Sequence, residues 1–251
     1  MTTRSRNARE RAYEQVRRRI LTMQYPPSQR LDENQVAEEV GVSRTPIREA
    51  FHQLAAEGLV TIVARGGYVV ADMNINRLRE LIEAQHILVR AVTHLLVARA
   101  TDADLAKLEA ATREVDEAES SRDPNAVAEK NANLHILETR LTQNEYLLSM
   151  AERVHTHLQR LAFLSFGGAG GIGGDGHDSS LFKHYENVHK DHWAYLEALR
   201  NRDVATAERV AVGHVELFQS RIRQYLEANA VDSLDFSDFS ISAEHTFTES
   251  N

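Results

Sequence analysis

The feature that most constrains the fold is a pair of short amphipathic segments separated by one glycine, within residues 32–57. Apolar residues recur at helical spacing on both sides of Gly41, and glycine readily adopts the left-handed conformation that ends a helix. Asp32 and Ser43 are suited to cap the two segments, and Pro46 fits the first turn of the second. The sequence therefore predicts two helices joined by a tight turn.

The flanking segments extend this pair into a larger pattern. Residues 9–23 show apolar positions at helical spacing, which predicts a helix before the pair. Residues 59–63 and 68–70 are rich in β-branched side chains and surround a glycine-containing tip, which predicts a hairpin. A helix, a helix–turn–helix and a hairpin within residues 1–72 form the order of a winged helix-turn-helix.

Charge is distributed unevenly along the chain. Residues 1–72 contain 11 Arg, no Lys and 9 acidic residues, whereas the rest contains 18 basic and 28 acidic residues. A basic head on an acidic body suits a protein that contacts phosphates at one end only. Charge alone leaves open a solvated Arg-rich tail.

Beyond Asp72 the sequence predicts long amphipathic helices with almost no strand signal. The fold class is therefore mainly α: an N-terminal winged helix-turn-helix followed by an all-helical antiparallel bundle of about six helices. We expect a DNA-binding domain over 1–72, a helical effector-binding and dimerisation domain over 73–230, and a disordered tail over 231–251. The helices are predicted at about 75–100, 102–120, 124–142, 144–165, 180–200 and 203–228.

A glycine-rich segment interrupts the predicted bundle. Residues 167–176 hold seven of the twelve glycines. Phosphate-binding glycine loops follow a strand, and no strand is predicted here, so a flexible linker or lid is favoured. The tail over 231–251 is acidic, Ser-rich and aperiodic, which is typical of disorder.

Composition excludes several kinds of chemistry. The chain has no cysteine, so thiolate ligands, thiol nucleophiles and disulfides are excluded. No run of about 18 apolar residues is present, and the basic N-terminus precedes no apolar stretch. We therefore expect a cytoplasmic protein without a membrane partner.

The helix that begins near Ser43 carries the candidate base-reading side chains. Arg44 and Arg48 are four residues apart and share a helix face, and a guanidinium can bind guanine through two hydrogen bonds. The Ser43 and Thr45 hydroxyls suit phosphate contacts. Arg65 and Gly66 lie at the predicted hairpin tip, where a wing can reach the minor groove.

The stretch LDENQVAEEVGVSRTPIREAFHQLAAEGLVTIVARGGYVV closely resembles the winged helix of the GntR family of bacterial regulators, and the resemblance covers residues 9–72. The resemblance implies that Arg44, Thr45 and Arg48 read the operator, with Gly66 in the wing. Asn34 stands where some members carry a DNA-contacting Arg, a departure that bears on operator preference.

Three histidines and an asparagine are candidate metal ligands in the helical part. Asn131 and His135 are four residues apart on one helix, and His192 and His214 fall on two later helices. If these helices pack as a bundle, the side chains can converge on a divalent ion, zinc or nickel being suited to such donors. By spacing alone the signal is weak, because a single helical histidine is more often a core or surface residue.

Residues 75–228 also resemble the FCD effector domain of FadR-type GntR regulators, with six helices as in the VanR-like branch. That resemblance implies a metal held by Asn131, His135, His192 and His214 and a small carboxylate effector bound beside it. Asn131 replaces the usual Asp, so we expect weaker binding of a divalent cation.

The resemblance also points to candidate effector-binding residues. Gln85 stands where an Arg is common, and Val89 where Glu is frequent. Arg90 and Arg160 are candidate substitutes for the missing Arg. Either His155 or His157 could line a pocket, and His157 is the candidate effector-binding residue. The loss of an Arg suggests that the ligand is less acidic or is anchored elsewhere.

The sequence thus predicts a ligand-responsive bacterial transcription regulator and not an enzyme. We expect a homodimer that binds double-stranded operator DNA and a repressor that is released by a small organic acid. Two alternatives stay open at this point: a metal-dependent hydrolase using the histidines, and a helical protein-interaction module. The sequence contains no H-E-x-x-H and no Gly-x-Ser-x-Gly motif, which counts against the hydrolase.

Overall fold

A computed structural model describes residues 3–64, 67–168 and 179–228 of the chain. The N-terminal part confirms the winged helix-turn-helix. The elements of this part are α1 (Thr3–Leu21), β1 (Arg30–Leu31), α2 (Glu33–Val40), α3 (Arg44–Ala56), β2 (Val60–Val63) and β3 (Gly67–Val70). The three strands form a small antiparallel sheet in the order β1–β3–β2. Val69 in the central strand pairs with Arg30 on one side and with Thr61 on the other.

Local chemistry explains the turn between α2 and α3. The Asp32 carboxylate accepts hydrogen bonds from the amides of Asn34 and Gln35, and Gly41 ends α2 with φ of 72°. Ser43 occupies the N-cap position of α3 with extended backbone, but its side chain makes no capping hydrogen bond. The Ser43 hydroxyl is therefore not used to hold the helix.

The strand β1 was not predicted from the sequence. Two residues are too few to show an alternating pattern, and Arg30–Leu31 is extended because it pairs with β3 across a sequence distance of almost forty residues. The chain before it passes through Tyr25, whose buried ring belongs to the same apolar core.

The six predicted helices of the second part are confirmed, each within two residues of its expected bounds. Thr101 forms a capping box with Asp104, and Asp123 and Asn144 cap the next two helices through their side-chain oxygens. The observed helices are α4 (Ile75–Arg99), α5 (Asp102–Ser121), α6 (Pro124–Leu141), α7 (Glu145–Ser165), α8 (Ser179–Arg200) and α9 (Val204–Ala228).

Each part has its own apolar core. One cluster is built from α1, α2, α3 and the sheet, with Ile47, Phe51 and Leu54 fully buried. A larger cluster joins all six helices of the bundle. The predicted tail over 231–251 and most of the glycine-rich segment over 167–176 lie outside the described residues.

Helix α4 departs from one expectation. By length and composition it is apolar enough to cross a membrane, although no such helix was expected from the sequence. The core helix of a globular bundle passes the same test, and α4 packs against α9, α7 and α6. It buries Ile82, Leu88 and Leu96 in the bundle core, which accounts for much of its apolar character.

Helix α7 connects the two parts. Both terminal nitrogens of the Arg160 guanidinium lie 3.2 Å from the carbonyl oxygen of Ala71, just after β3. Gly58, which has φ of 81°, lies against His157 and Arg153, so that a Cβ at that position would come within 3.1 Å of the His157 ring. The opposite side of α7 faces the interior of the bundle.

Candidate DNA-binding surface and metal centre

The first turn of α3 presents the predicted DNA-reading side chains to solvent. The side chains of Arg44 and Arg48 are 60% and 54% exposed, and Thr45 is exposed between them. The opposite face of the helix is buried, with Ile47, Ala50 and Phe51 in the core. Helix α3 thus has the amphipathic form of a recognition helix, packed on one side and basic on the other.

Glu33 is a site residue that the sequence interpretation missed. Its carboxylate accepts two hydrogen bonds from Arg48, at 3.0 and 2.8 Å, and one from Arg44 at 3.2 Å. Hydrogen bonding from Arg48 and then Arg44 lowers the pKa of Glu33 despite partial burial. A single carboxylate on α2 therefore organises both predicted base-reading guanidinium groups.

The predicted wing tip is not described. Arg65 and Gly66 lie in the gap between β2 and β3, so their role in DNA binding stays a prediction. The strands that carry the tip are well defined, with Val63 paired to Gly67.

Three of the four predicted metal ligands form a compact cluster inside the bundle. One ring nitrogen from each of His135, His192 and His214 lies within 4.8 Å of the other two. The rings come from α6, α8 and α9, with centroids 4.7 Å apart for His192 and His214. Asn131, one turn before His135 on α6, lines the adjoining cavity. A sequence separation of 79 residues between His135 and His214 is thus closed by the helix packing.

The polar atoms of this cluster fit a metal ion. Asn131 Oδ1, both ring nitrogens of His192 and His214 Nδ1 are buried without a hydrogen-bond partner. Burial lowers the pKa of His192 and of His214, so both rings favour the neutral form that metal coordination requires. Unpaired buried polar atoms are costly, and a bound cation would supply a partner for Asn131 Oδ1 and for one ring nitrogen of His192.

Carboxylates surround the histidines in the way that supports metal ligands. Glu138 Oε2 lies 2.9 Å from His135 Nδ1, which leaves the Nε2 atom of that ring for a metal. Asp191 Oδ2 lies 3.5 Å from His214 Nδ1, beyond a normal hydrogen bond but within ion-pair range. Such partners orient metal-bound imidazoles and raise their basicity. His155, not predicted as a ligand, stacks on His135 with ring centroids 5.1 Å apart.

A cavity borders the histidine cluster. Its empty space amounts to about 600 Å³, which includes adjoining solvent. The lining comes from all six helices of the bundle and is largely apolar. Its polar lining residues are Gln85, Glu119, Asn131, His135, His155, Gln159, His184, Tyr185 and His214.

The four predicted effector-binding residues fall in different places. Gln85 lines the cavity, and its Oε1 atom is buried without a hydrogen-bond partner. Arg90 is on the surface, paired with Glu208 of α9. His157 and Arg160 point away from the cavity toward the N-terminal part, because α7 turns its opposite face, with His155 and Gln159, inward. Which face of α7 points into the cavity depends on how the helices pack, and the sequence alone did not determine it.

A winged helix-turn-helix joined to a helical bundle with an internal histidine cluster defines the class of one-chain transcription regulators, with a DNA-binding head and a helical effector domain. Two family models match the chain, "Bacterial regulatory proteins, gntR family" over residues 8–70 and "FCD domain" over residues 80–217. The chain therefore belongs to the GntR family of regulators, in the FadR-type group that carries an FCD domain.

Individual relatives agree with this assignment. The chain is 22% identical over 216 residues to the HTH-type regulator YdhC of Bacillus subtilis, covering 86% of this chain and 91% of the relative. It is 24% identical over 221 residues to the repressor RspR of Escherichia coli, covering 88% and 91%. The solved structure of E. coli McbR/YncC shares the fold with a TM-score of 0.70 and 19% identity, covering 92% of this chain and all of that one.

The family assignment separates the three functional hypotheses. Members are regulators that act through the helix-turn-helix, and the described N-terminal part has this fold. The chain is therefore a transcription regulator and not the metal-dependent hydrolase considered from its histidines. The same finding counts against a protein-interaction module that only imitates a DNA-binding head.

Proposed function

We propose that the chain is a dimeric repressor whose operator affinity is lowered by a small carboxylate bound at a metal in the helical bundle. The observation that carries this proposal is the buried three-histidine cluster beside a cavity, within the domain that is joined to the DNA-reading head. We assign the head to residues 1–72, the sensor to 73–230 and a tail to 231–251. A regulator of bacterial DNA acts in the cytoplasm.

On the DNA side, Arg44 and Arg48 contact base edges in the major groove of double-stranded operator DNA. Their exposure on the first turn of α3 supports this role, since that turn enters the groove in helix-turn-helix proteins. Ser43 and Thr45 contact phosphates, and the unused capping potential of Ser43 supports its part. Arg65 and Gly66 extend the contact into the minor groove.

In the sensor, Asn131, His135, His192 and His214 hold a divalent ion, and zinc or nickel suits this set of nitrogen and amide-oxygen donors. When bound, such an ion supplies a positive centre that attracts the carboxylate of the effector. The protein itself fixes His135 through Glu138, keeps His192 and His214 neutral by burial, and offers Gln85 Oε1 to the ligand.

Dimerisation is supported by an unpaired apolar stripe on α4. Ile87 is 67% exposed, and Ala91, Leu95 and Ala98 follow at spacings of three or four on the same face, all exposed or only partly buried. Small residues allow close approach of a second helix, and a second copy of the chain would cover the stripe. Two heads would then read two half-sites of a palindromic operator.

Helix α7 supports communication between the two sites. Its inner face lines the cavity through His155 and Gln159, and its outer face contacts Ala71 and Gly58 of the head. A ligand that shifts α7 therefore shifts the head. A coupling free energy of about 1–3 kcal/mol is typical of allosteric proteins and changes affinity about 5- to 150-fold.

Metal content tests the sensor. Elemental analysis of purified wild type and His192→Ala is expected to show about one zinc or nickel per chain, lost in the variant. His189→Ala is the matched control, because His189 lies on the same helix with an exposed side chain paired to Asp116. Wild type without metal, even after incubation with zinc, would contradict the proposed centre.

Operator binding tests the head. A duplex selected by the purified protein from random sequences should bind with strong salt dependence, and Arg48→Ala should cost about 1–3 kcal/mol of specific binding. Arg79→Ala, an exposed Arg of α4, controls for loss of positive charge. Unchanged discrimination between operator and random DNA in Arg48→Ala would remove Arg48 from the site.

A further inference from the structure

The cavity beside the histidine cluster contains a carboxylate that the proposed metal site does not use. Glu119, near the end of α5, lines the cavity, and the described residues give its carboxylate no hydrogen-bond or salt-bridge partner. The described lining residues include four histidines but no Lys or Arg. Glu119 is therefore the one acidic side chain among the described lining residues.

Other unpaired polar atoms face the same space. His184 Nε2 and Gln85 Oε1 are buried without hydrogen-bond partners, and both residues are more than nine-tenths buried and line the cavity. Buried polar groups in folded proteins are almost always paired, so these atoms indicate a polar ligand. The unpaired Gln85 Oε1 atom and an ionised Glu119 carboxylate are both acceptors, which a ligand satisfies by donating hydrogen bonds.

Glu119 and the histidine cluster lie toward different ends of the cavity. Ala118, the neighbour of Glu119, packs with Val127 and Ala128 near the start of α6, whereas His135 lies two turns further along that helix. Eight residues of α-helix correspond to about 12 Å. This rise sets the scale of the distance that a ligand would bridge, so unbranched chains of about four to six carbons are suitable probes.

We propose that the effector is an amino acid with its two charges at opposite ends, the carboxylate at the histidine cluster and the ammonium at Glu119. The inference rests on the proposed metal-centred sensor and specifies the ligand it takes. Tyr185 and Phe166 pack together with ring centroids 5.5 Å apart and line the cavity, so the methylene groups of such a ligand would have apolar surface to contact.

The electrostatics of Glu119 agree with this assignment. Burial, reinforced by Asp116 on the same helix, raises the pKa of Glu119 to about 8. A carboxyl group in such surroundings lacks a cationic partner, and an ammonium group placed beside it would favour its ionised form. A simple organic acid has no ammonium group to pair with Glu119. If its carboxylate lay beside Glu119, it would place a second negative charge there.

Matched ligand pairs test the proposal. The zinc-loaded full chain is titrated by calorimetry with 4-aminobutyrate, 5-aminovalerate and 6-aminohexanoate, and with butyrate, valerate and hexanoate. We expect at least one amino acid to bind ten-fold or more tightly than the acid of equal length. In Glu119→Gln this preference should fall below about three-fold, whereas Glu117→Gln, an exposed position on the same helix, should retain it.

The outcomes separate this inference from the proposed function. Equal binding of the two series, no binding of any probe, or an unchanged preference in Glu119→Gln would overturn the assignment of an amino acid, even with metal and operator binding intact. Loss of metal or operator binding in the wild type would instead contradict the proposed function. If Glu119→Gln does not fold, Glu119→Asp, which retains the charge, is expected to keep the amino-acid preference in weakened form, and loss of that preference would count against the inference.

Discussion

Arg48 and Glu33 form a two-point ion pair across the helix-turn-helix, with Nε 3.0 Å from Oε1 and Nη2 2.8 Å from Oε2. The guanidinium is 54% exposed, whereas the carboxylate beneath it is only 14% exposed. Glu33 therefore fixes the direction of the side chain that we assign to base reading. Arg44 shares the same carboxylate, so one residue of α2 aligns both arginines.

We expect Glu33→Gln to reduce the discrimination between operator and random DNA. An amide side chain cannot hold two guanidinium groups, so both arginines would lose orientation before they reach the bases. Removal of a negative charge near the DNA should also strengthen non-specific binding. Competition titrations at fixed salt measure both effects, with a loss of about 1–2 kcal/mol in the specificity ratio expected. Glu38→Gln, an exposed position on α2, is the control; equal losses in the two variants would contradict an orienting role.

Asn131→Asp should strengthen metal binding. The substitution adds a negative charge and a better donor at a position whose Oδ1 atom is buried without a partner. We expect the dissociation constant for zinc to fall about ten-fold or more, a change of about 1.4 kcal/mol per factor of ten. Competition with a chromophoric chelator measures the affinity. Asn133→Asp, two residues away and exposed, should leave it unchanged, and a variant no tighter than wild type would show that residue 131 does not contact the metal.

Acid should destabilise the protein partly through His157. Burial, together with Arg160, Arg153 and Arg77, lowers the pKa of His157 to about 4. Above pH 6.5 His157 is neutral in both the folded and the unfolded state. Below that pH, His157 becomes protonated in the unfolded chain but stays neutral in the folded chain until the pH approaches about 4. Stability is therefore lost as the pH falls from about 6.5 toward 4. Between pH 7.5 and 5, His157→Gln should reduce the loss in free energy of unfolding by about 1–2 kcal/mol.

Urea unfolding at the two pH values measures this difference. His52→Gln, at an exposed position of α3, is the matched control. The same loss of stability in wild type and His157→Gln would exclude His157 as a source of acid sensitivity.

Arg160→Ala should destabilise the protein at the junction of its two parts. The side chain is fully buried, and both terminal nitrogens contact the Ala71 carbonyl, so truncation leaves a cavity and removes those donors. Burial also lowers the pKa of Arg160 to about 10, which shows that the site tolerates the charge poorly. We expect Arg160→Ala to cost about 2–4 kcal/mol. Arg160→Met, which fills the space without a charge, should cost about half as much.

Denaturant titration distinguishes these contributions. If Arg160→Ala is as stable as wild type, the contact with Ala71 does not stabilise the junction. If Arg160→Met is as unstable as Arg160→Ala, hydrogen bonding rather than packing dominates at this position.

The features that could be predicted from the sequence are those that depend on residues close together along the chain. The turn at Gly41, the caps at Asp32, Thr101 and Asn144, and the apolar spacing of the helices specify the order of elements, because each operates within a few residues along the chain. The resemblance of residues 9–72 to a known winged helix pointed to Arg44 and Arg48 for the same reason: their helix and their spacing are local.

Contacts between residues that are far apart along the chain became known only from the tertiary structure. The convergence of His135, His192 and His214 depends on how three helices pack, and the position of Glu33 beneath Arg44 and Arg48 depends on the angle between two helices. On α7, His155 lines the cavity, whereas His157 and Arg160 face the head, although all three lie within six residues. Local periodicity gives each helix a buried face, but long-range packing determines what that face contacts.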